Sequence, residues 1–478
     1  MKRKNLAKAC FAILALPLVL TGCATVGNVL DENGNNIYFE DITFFGGNGV
    51  KVGDYLYYAN GYTAVDDGSS YDYNSAKETG YLSRINLSDG VNAPSHQEAP
   101  ENVEVVDKDH AVGYENQYMF AYQNYLYFTS ANQHQTASLE NDYTRVSVFR
   151  VRFNGDGVQE LFTTRYDSSS FITAVEGSDG RAYIITYAET DRDVSSDTTE
   201  YDISVMPIGD SLGSREVVVE NATSAVVDSD ENSQIKSVFY TKTAELGQST
   251  SNVFAYDYAT KQTTNYSVEN FGSTTELLAK IDDQLFYTYT SKTVTQVYKT
   301  DLLASDKILG SESDVFHPTS SMSNIYRVAD GTPRAGYVFV GSSSNLMYKA
   351  DNARDAVPIL TSSNFEDILF VSGDYVYFSN STSIGRVTFI ENGGEYKQET
   401  LVTMTSIVSG EYAFVDGYIY FYAQYEPVEV EEGEDSVEYE TDESIYMYRI
   451  QAGSPEHIGP YQLIGKNKVM PVIEDDEE

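Results

Sequence analysis

The 478-residue chain reads as all-β, and three observations carry that reading. It holds 40 Tyr and 22 Phe with no Trp, and together with Val, Ile and Thr these residues suit a pleated, half-buried surface. Short aromatic-apolar stretches recur eight times along it, separated by clusters of Gly, Asn, Asp and Ser that mark turns. Sustained helical periodicity is lacking, apart from short helical turns expected at Thr275 to Lys280 and Leu302 to Asp306. With 41% hydrophobic residues the chain can bury a large core, which excludes a disordered stalk.

In chain order, the first element is a leader. Lys2, Arg3, Lys4 and Lys8 precede a run without charge from Ala9 to Leu20, the basic and apolar regions of an export signal. The run is too short for a membrane span, which needs roughly 20 helical residues. It closes on Leu20-Thr21-Gly22-Cys23, which resembles the lipobox of bacterial lipoproteins. The resemblance implies a diacylglyceryl group on the Cys23 sulfur and cleavage between Gly22 and Cys23. Two or more acyl chains would hold the protein on the outer face of the cell membrane. Residues 1–22 are then the signal peptide and 23–36 (CATVGNVLDENGNN) the lipidated tether. Ala24 lacks the aspartate that resembles an inner-membrane retention signal. The other cysteine, Cys10, lies in the leader, so the mature chain has no thiol for a disulfide-linked partner, a zinc site or a nucleophile.

Next comes the repeat. "VGDYLYYANG" from Val52 and "VSGDYVYFSN" from Val371 are two copies of one pattern. Related strands begin near Tyr55, Tyr125, Ala182, Ser237, Gln284, Tyr337, Tyr375 and Tyr418. Their uneven spacing, with a mean of about 52 residues, falls in the range of propellers and other solenoid-like arrays. A second strand follows most of them, at Tyr81, Val148, Val253, Val297, Leu346, Ile384 and Tyr446. Six of these second strands carry a basic residue: Arg84, Arg150, Lys299, Lys349, Arg386 and Arg449. Such pairs read as neighbouring strands of a blade that is apolar on both faces, as packing between two other blades requires.

The pattern of Gly-Asp, apolar-Tyr-Tyr strand, Leu-Tyr-Arg strand and polar turn resembles a bacterial propeller family of unknown function. Its repeats are related to the propellers of the low-density-lipoprotein receptor. The match is good at 52–90, 371–390 and 414–450 and weak around 182–208. It implies a β-propeller of seven or eight four-stranded antiparallel blades across 37–473. Eight strand pairs favour eight blades, and reading the weak third unit as an insertion leaves seven. Ring closure falls either to Ile37–Phe45 (IYFEDITFF) or to the end segment Tyr461–Ile473.

Function is less legible. The net charge of −41 repels phosphate backbones and anionic head groups, which argues against nucleic acid and against flat adsorption to membranes. Cations, basic proteins and neutral glycans remain as partners. The five histidines, His96, His110, His134, His317 and His457, form no HxxxH or HExxH motif and no close His-Asp pair in the sequence. GxSxG, Walker and GxGxxG motifs are absent. No catalytic residue, metal site or cofactor is therefore assigned. Asp31–Asn36 and Asp228–Asn232 alternate oxygen donors as calcium loops do, but both lack the closing bidentate glutamate and read as polar turns.

The loop 59–80 carries Tyr62, Tyr71 and Tyr73 among small polar residues, a candidate surface for stacking on sugars or anchoring a protein. The stretch 426–443 (EPVEVEEGEDSVEYETDE) holds ten carboxylates and no basic residue. It reads as a solvated hairpin inserted in the last unit, with its turn near Glu432-Gly433-Glu434, and 474–478 as an acidic tail. The expectation is a non-catalytic, lipid-anchored module that binds an envelope protein or glycan. The rival expectation is an extracytoplasmic hydrolase or lyase for glycans that uses carboxylates in the propeller channel.

Overall fold

Six of the eight aromatic repeats become antiparallel sheets of their own in the computed structural model, the third and fourth share one seven-stranded sheet, and the sheets follow one another around a ring. The structure describes residues 26–44, 49–60, 81–87, 103–111, 119–131, 145–167, 169–190, 200–228, 233–242, 253–266, 275–291, 294–304, 309–311, 315–317, 322–328, 335–341, 343–361, 363, 365–389, 396–424, 428–432, 436–440, 445–454 and 462–466. Blade 1 is built from Gly49–Val52, Tyr55–Asn60, Tyr81–Asn86 and Val103–Ala111. Blade 2 is built from Met119–Gln123, Tyr125–Ala131, Arg145–Arg152 and Gln159–Arg165. Blade 3 follows with Phe171–Glu176, Ala182–Glu189, Tyr201–Pro207 and the long strand Glu216–Val226.

Blade 4 shares that long strand. Its first half pairs with Tyr201–Pro207, and its second half pairs with Ser237–Lys242, which continues into Val253–Asp257 and Gln262–Tyr266. Asn221, at φ +58°, stands where the strand passes from one partner to the other, and its N–H donates to Asp202. Blades 5, 6 and 7 are regular: 275–317, 323–360 and 367–403 each give four strands paired in order. Blade 8 takes Ser406–Val415, Tyr418–Gln424, Ile445–Gln451 and Gln462–Lys466. The weak third unit is thus a full blade, and the described residues form eight blades.

First strands of neighbouring blades pack on one another, so they form the inner ring; Gly49–Val52, for example, touches both Met119–Gln123 and Ser406–Val415. Burial on both sides of the strands follows, as in Ala182–Glu189, where seven consecutive residues are buried. In blades 1, 2, 5, 7 and 8 the turns between first and second strands are one or two residues long. Asp416 and Gly417 both have positive φ (+51° and +78°), the backbone of a type I′ turn that matches strand twist.

Two expectations are corrected. Thr275–Ile281 is the first strand of blade 5 rather than a helical turn, because its place in the inner ring overrides the helix preference of Glu, Leu, Ala and Lys. Of the two segments expected to close the ring, Gln462–Lys466 completes blade 8, whereas Phe39–Thr43 pairs with blade 2, with Phe39 opposite Gln123 and Thr43 opposite Ala121. Among the described residues, no strand from the start of the chain enters blade 8.

The two sides of the disc differ. One side, the turn face, carries the connections from first to second and from third to fourth strands. The other, the loop face, carries those from second to third strands and those from each blade to the next. On the loop face, 61–80, 132–144, 190–200, 243–252 and 425–444 belong to blades 1, 2, 3, 4 and 8, which are neighbours in the ring. The corresponding second-to-third connections of blades 5, 6 and 7 are 292–293, 341–345 and 380–382. Within 425–444, Val428–Glu432 pairs with Ser436–Glu440 as a separate two-stranded sheet.

Candidate functional site

Cys23 and Gly22 lie outside the described residues, as do Tyr62, Tyr71, Tyr73 and the tail 474–478. The six repeated basic residues are described; the four arginines build a common clamp, while Lys299 and Lys349 lie over Tyr337 and Phe316 of neighbouring blades. Arg84, Arg150, Arg386 and Arg449 lie over the rings of Tyr55, Tyr125, Tyr375 and Tyr418, with the guanidinium carbon 4.3, 4.3, 3.9 and 4.4 Å from the centroid. Each also meets an oxygen on the fourth strand of its own blade: Glu104 at 2.7 Å, Gln159 at 3.1 Å, Glu399 at 2.6 Å and Gln462 at 2.7 Å. Planarity and a fixed fork of donors let arginine do both at once. These cations are therefore structural.

At blade 1 the clamp reaches further. Arg84 is only 1% exposed, and its Nη1 donates to the Tyr57 hydroxyl at 3.1 Å and to the Gly27 carbonyl at 2.9 Å. Burial pushes the Tyr57 phenol up to about 12 despite Arg84 beside it, so it stays protonated and donates to the Phe153 carbonyl of blade 2.

Arg84 thereby holds the segment that precedes blade 1. Val29 is 5% exposed and shares a core with Val52 and Leu56, while Val26, Ile37 and Phe39 pack against it. Asn154 donates to Asn28 at 2.9 Å. Asp31 accepts the N–H groups of Asn33 and Asn35 at 2.9 and 2.8 Å, which lowers its titration and closes a small turn. That carboxylate, one of the two calcium candidates, is committed to its own turn. Of the expected tether 23–36, residues 26–36 therefore lie against the turn face, at the seam of blades 1 and 2. The next strand, Phe39–Thr43, continues along the inner edge of blade 2, with Glu40 and Asp41 exposed.

Between this segment and blade 2 lies a cleft of about 260 Å³. Asn28, Val29, Asn36 and Ile37 make one wall, and Asn124, Arg152, Phe153 and Asn154 the other. The buried Oδ1 of Asn124 has no hydrogen-bond partner. Amides and a guanidinium can hold a polar ligand, but no nucleophile or carboxylate lines the cleft for acid-base work.

Two further groups bear on chemistry. His110 Nδ1 lies 2.7 Å from Asp107, a pair the sequence reading missed because a register shift in Val103–Ala111 brings together residues three apart. The His110 ring packs on Phe149 of blade 2, at 4.2 Å between centroids. Lys280, with its side chain 1% exposed, donates to Ser233 and to the Asp282 carbonyl and lies 3.7 Å from Asp228, the second calcium candidate. Burial lowers the Lys280 amine against the pull of Asp228 and Asp283. It ties blade 5 to the connection 227–236 and is out of reach of a dissolved substrate. Among the described residues no three His, Cys, Asp or Glu side chains are placed to share a metal ion.

Comparison with protein-family models finds no match, and comparison with curated proteins finds none. Solved structures give distant likenesses. A puromycin-hydrolysing peptidase of Mycobacterium tuberculosis is 10% identical with a TM-score of 0.39, over 80% of this chain and 58% of the peptidase. The β-propeller domain of the trilobed protease from Pyrococcus furiosus, described as having an open velcro topology, is 8% identical with a TM-score of 0.36, over 91% and 98%. TolB from Acinetobacter baumannii is 12% identical with a TM-score of 0.30, over 69% and 77%. This chain thus spans well under two thirds of the peptidase's length. At such distances none of these likenesses carries function. The strand order described above makes the chain an eight-bladed β-propeller.

Proposed function

We propose that this propeller is a non-catalytic binding module, lipidated at Cys23, that holds an envelope protein or glycan at the outer face of the cell membrane. The observation that carries the reading is the grouping of the long connections. Among the connections from second to third strands, the five of ten residues or more belong to five adjacent blades, whereas blades 5, 6 and 7 carry five residues or fewer there. A rigid disc with variable connections on one arc is how a scaffold presents a recognition surface. The arc includes the ten carboxylates of 426–443, which favour a partner with basic groups.

Crosslinking on intact cells tests the reading. The wild-type chain should capture a partner, and a variant with 426–443 replaced by a short Gly-Ser turn should lose it while remaining folded. Equal capture by both would remove the acidic hairpin from the binding surface. Substituting Cys23→Ala should move the protein from the membrane fraction to the soluble fraction, and a variant that stays with membranes would overturn the anchor.

A further inference from the structure

We infer that the protein sits on the membrane by the turn-face edge of blades 1 and 2, with the loop face turned away from the bilayer. The inference rests on lipidation of Cys23. From Val26 onward the chain is fastened to the disc by the Val29 and Ile37 packing, the Gly27–Arg84 bond and the Asn28–Asn154 bond. Only two residues separate Cys23 from Val26, a reach of about 11 Å between α-carbons even when fully extended. Such a leash is too short to let the disc turn over.

A second observation points to the same edge. Leu30 and Tyr38, 50% and 51% exposed, are large apolar side chains left open to solvent, and both belong to this docked segment. An aliphatic residue and a tyrosine suit the head-group layer, where an apolar body and a polar tip are both satisfied. The surrounding turn face carries Asp54, Asp156 and Asp210, of which Asp54 and Asp210 are exposed. Like charge within about 8–10 Å of an anionic bilayer is repelled, so the contact is confined to the edge and the disc is tilted. The five long connections leave from strand ends on the far side and are held a strand length or more from the lipid.

The absence of other thiols in the mature chain makes the test direct. Lipidated protein carrying Asp54→Cys on the turn face or Ser381→Cys on the loop face is labelled with a fluorophore. It is then reconstituted in phosphatidylcholine-phosphatidylglycerol vesicles containing a nitroxide head-group lipid. Quenching at position 54 should exceed that at 381 at least about threefold, because the sites differ in height by about 17–20 Å, one strand length. Equal quenching, or stronger quenching at 381, overturns the orientation. Failure to float with the vesicles overturns the anchor instead, and is seen before any quenching is read. Replacing Leu30 and Tyr38 with Ser should leave flotation intact and shrink the difference between the two labels. An unchanged difference would overturn their place in the lipid interface.

Discussion

The seam between blades 1 and 2 and the seam between blades 8 and 1 do the same job by different means. At the first, the preceding segment is laid over both blades. Arg84 bonds to that segment, Tyr57 bonds across to Phe153, and Phe39–Thr43 adds a fifth strand to blade 2. The second seam must close the ring, yet every described strand of blade 8 comes from the end of the chain. It is held by apolar packing, where Ala413, Val415, Tyr420, Tyr422 and Met447 share a core with Val50, Val52 and Leu56. To this it adds a hydrogen bond from Tyr422 to the Ala59 carbonyl and an exposed Lys51–Asp416 pair. Closure by side chains suffices where both blades present aromatic faces, and that frees the first strand to hold the leading segment in place.

The largest expected effect lies at the closing seam. Tyr422 is 1% exposed, so Tyr422→Ala should cost about 3–5 kcal/mol in urea unfolding. Tyr422→Phe keeps the ring and loses one hydrogen bond, about 1 kcal/mol. Equal losses for the two variants would mean that ring packing does not hold blade 8 to blade 1.

Next comes the fastened seam. Arg84→Met keeps the apolar stem but removes the donors to Gly27, Tyr57 and Glu104. The expected loss is about 2–3 kcal/mol, less than for a fully buried ion pair because Glu104 is 44% exposed and can be solvated. Limited proteolysis should then cut within residues 26–38 first. Cleavage elsewhere, with this segment still protected, would show that Arg84 does not hold it.

A smaller change separates the segment from the clamp. Gly53 has φ +59°, and a Cβ there would stand 2.8 Å from Ile37 Cδ1 and 3.1 Å from Val29 Cγ1. Gly53→Ala should therefore cost about 1–2 kcal/mol from backbone strain alone. Adding Ile37→Ala makes room for the new methyl group, so the pair should cost less than the sum of the single changes. Strict additivity would mean that the two positions do not touch.

Much of this architecture was legible in the residues. Seven of the eight strand starts expected from the repeat coincide with observed strands, and the eighth, Tyr337, falls one residue inside Gly336–Val340, because alternating aromatics on a doubly buried sheet have few other places to go. The basic residue on the third strand of six blades was legible as a pattern but not as a clamp. Its partners, such as Gln159 for Arg150, sit on a strand whose register depends on bulges. The docking of 26–38 was hidden for another reason. Val29 and Ile37 are isolated apolar residues in a polar stretch, and the surface they fill exists only once blades 1 and 2 have met. His110 and Asp107 were missed because spacing in sequence does not report a register shift.

The smallest expected effect concerns a clamp that closes within one blade. Glu399 accepts from Arg386 at 2.6 Å and pairs with Lys397 at 2.5 Å. Burial pushes its carboxyl up, but the bonds from Lys397 and Arg386 outweigh burial and hold it below its ordinary 4.5. A group lowered in the folded state contributes stability that is fully present above its unfolded value and is lost as pH falls through the folded one. Urea midpoints of the wild type should therefore drop more steeply below pH 4.5 than those of Glu399→Gln, while the two curves run parallel above it. Parallel curves throughout would remove this ion pair from the acid response. A difference that persisted with Phe39–Thr43 deleted would place that response in blade 7 alone, independent of how blades 1 and 2 are fastened.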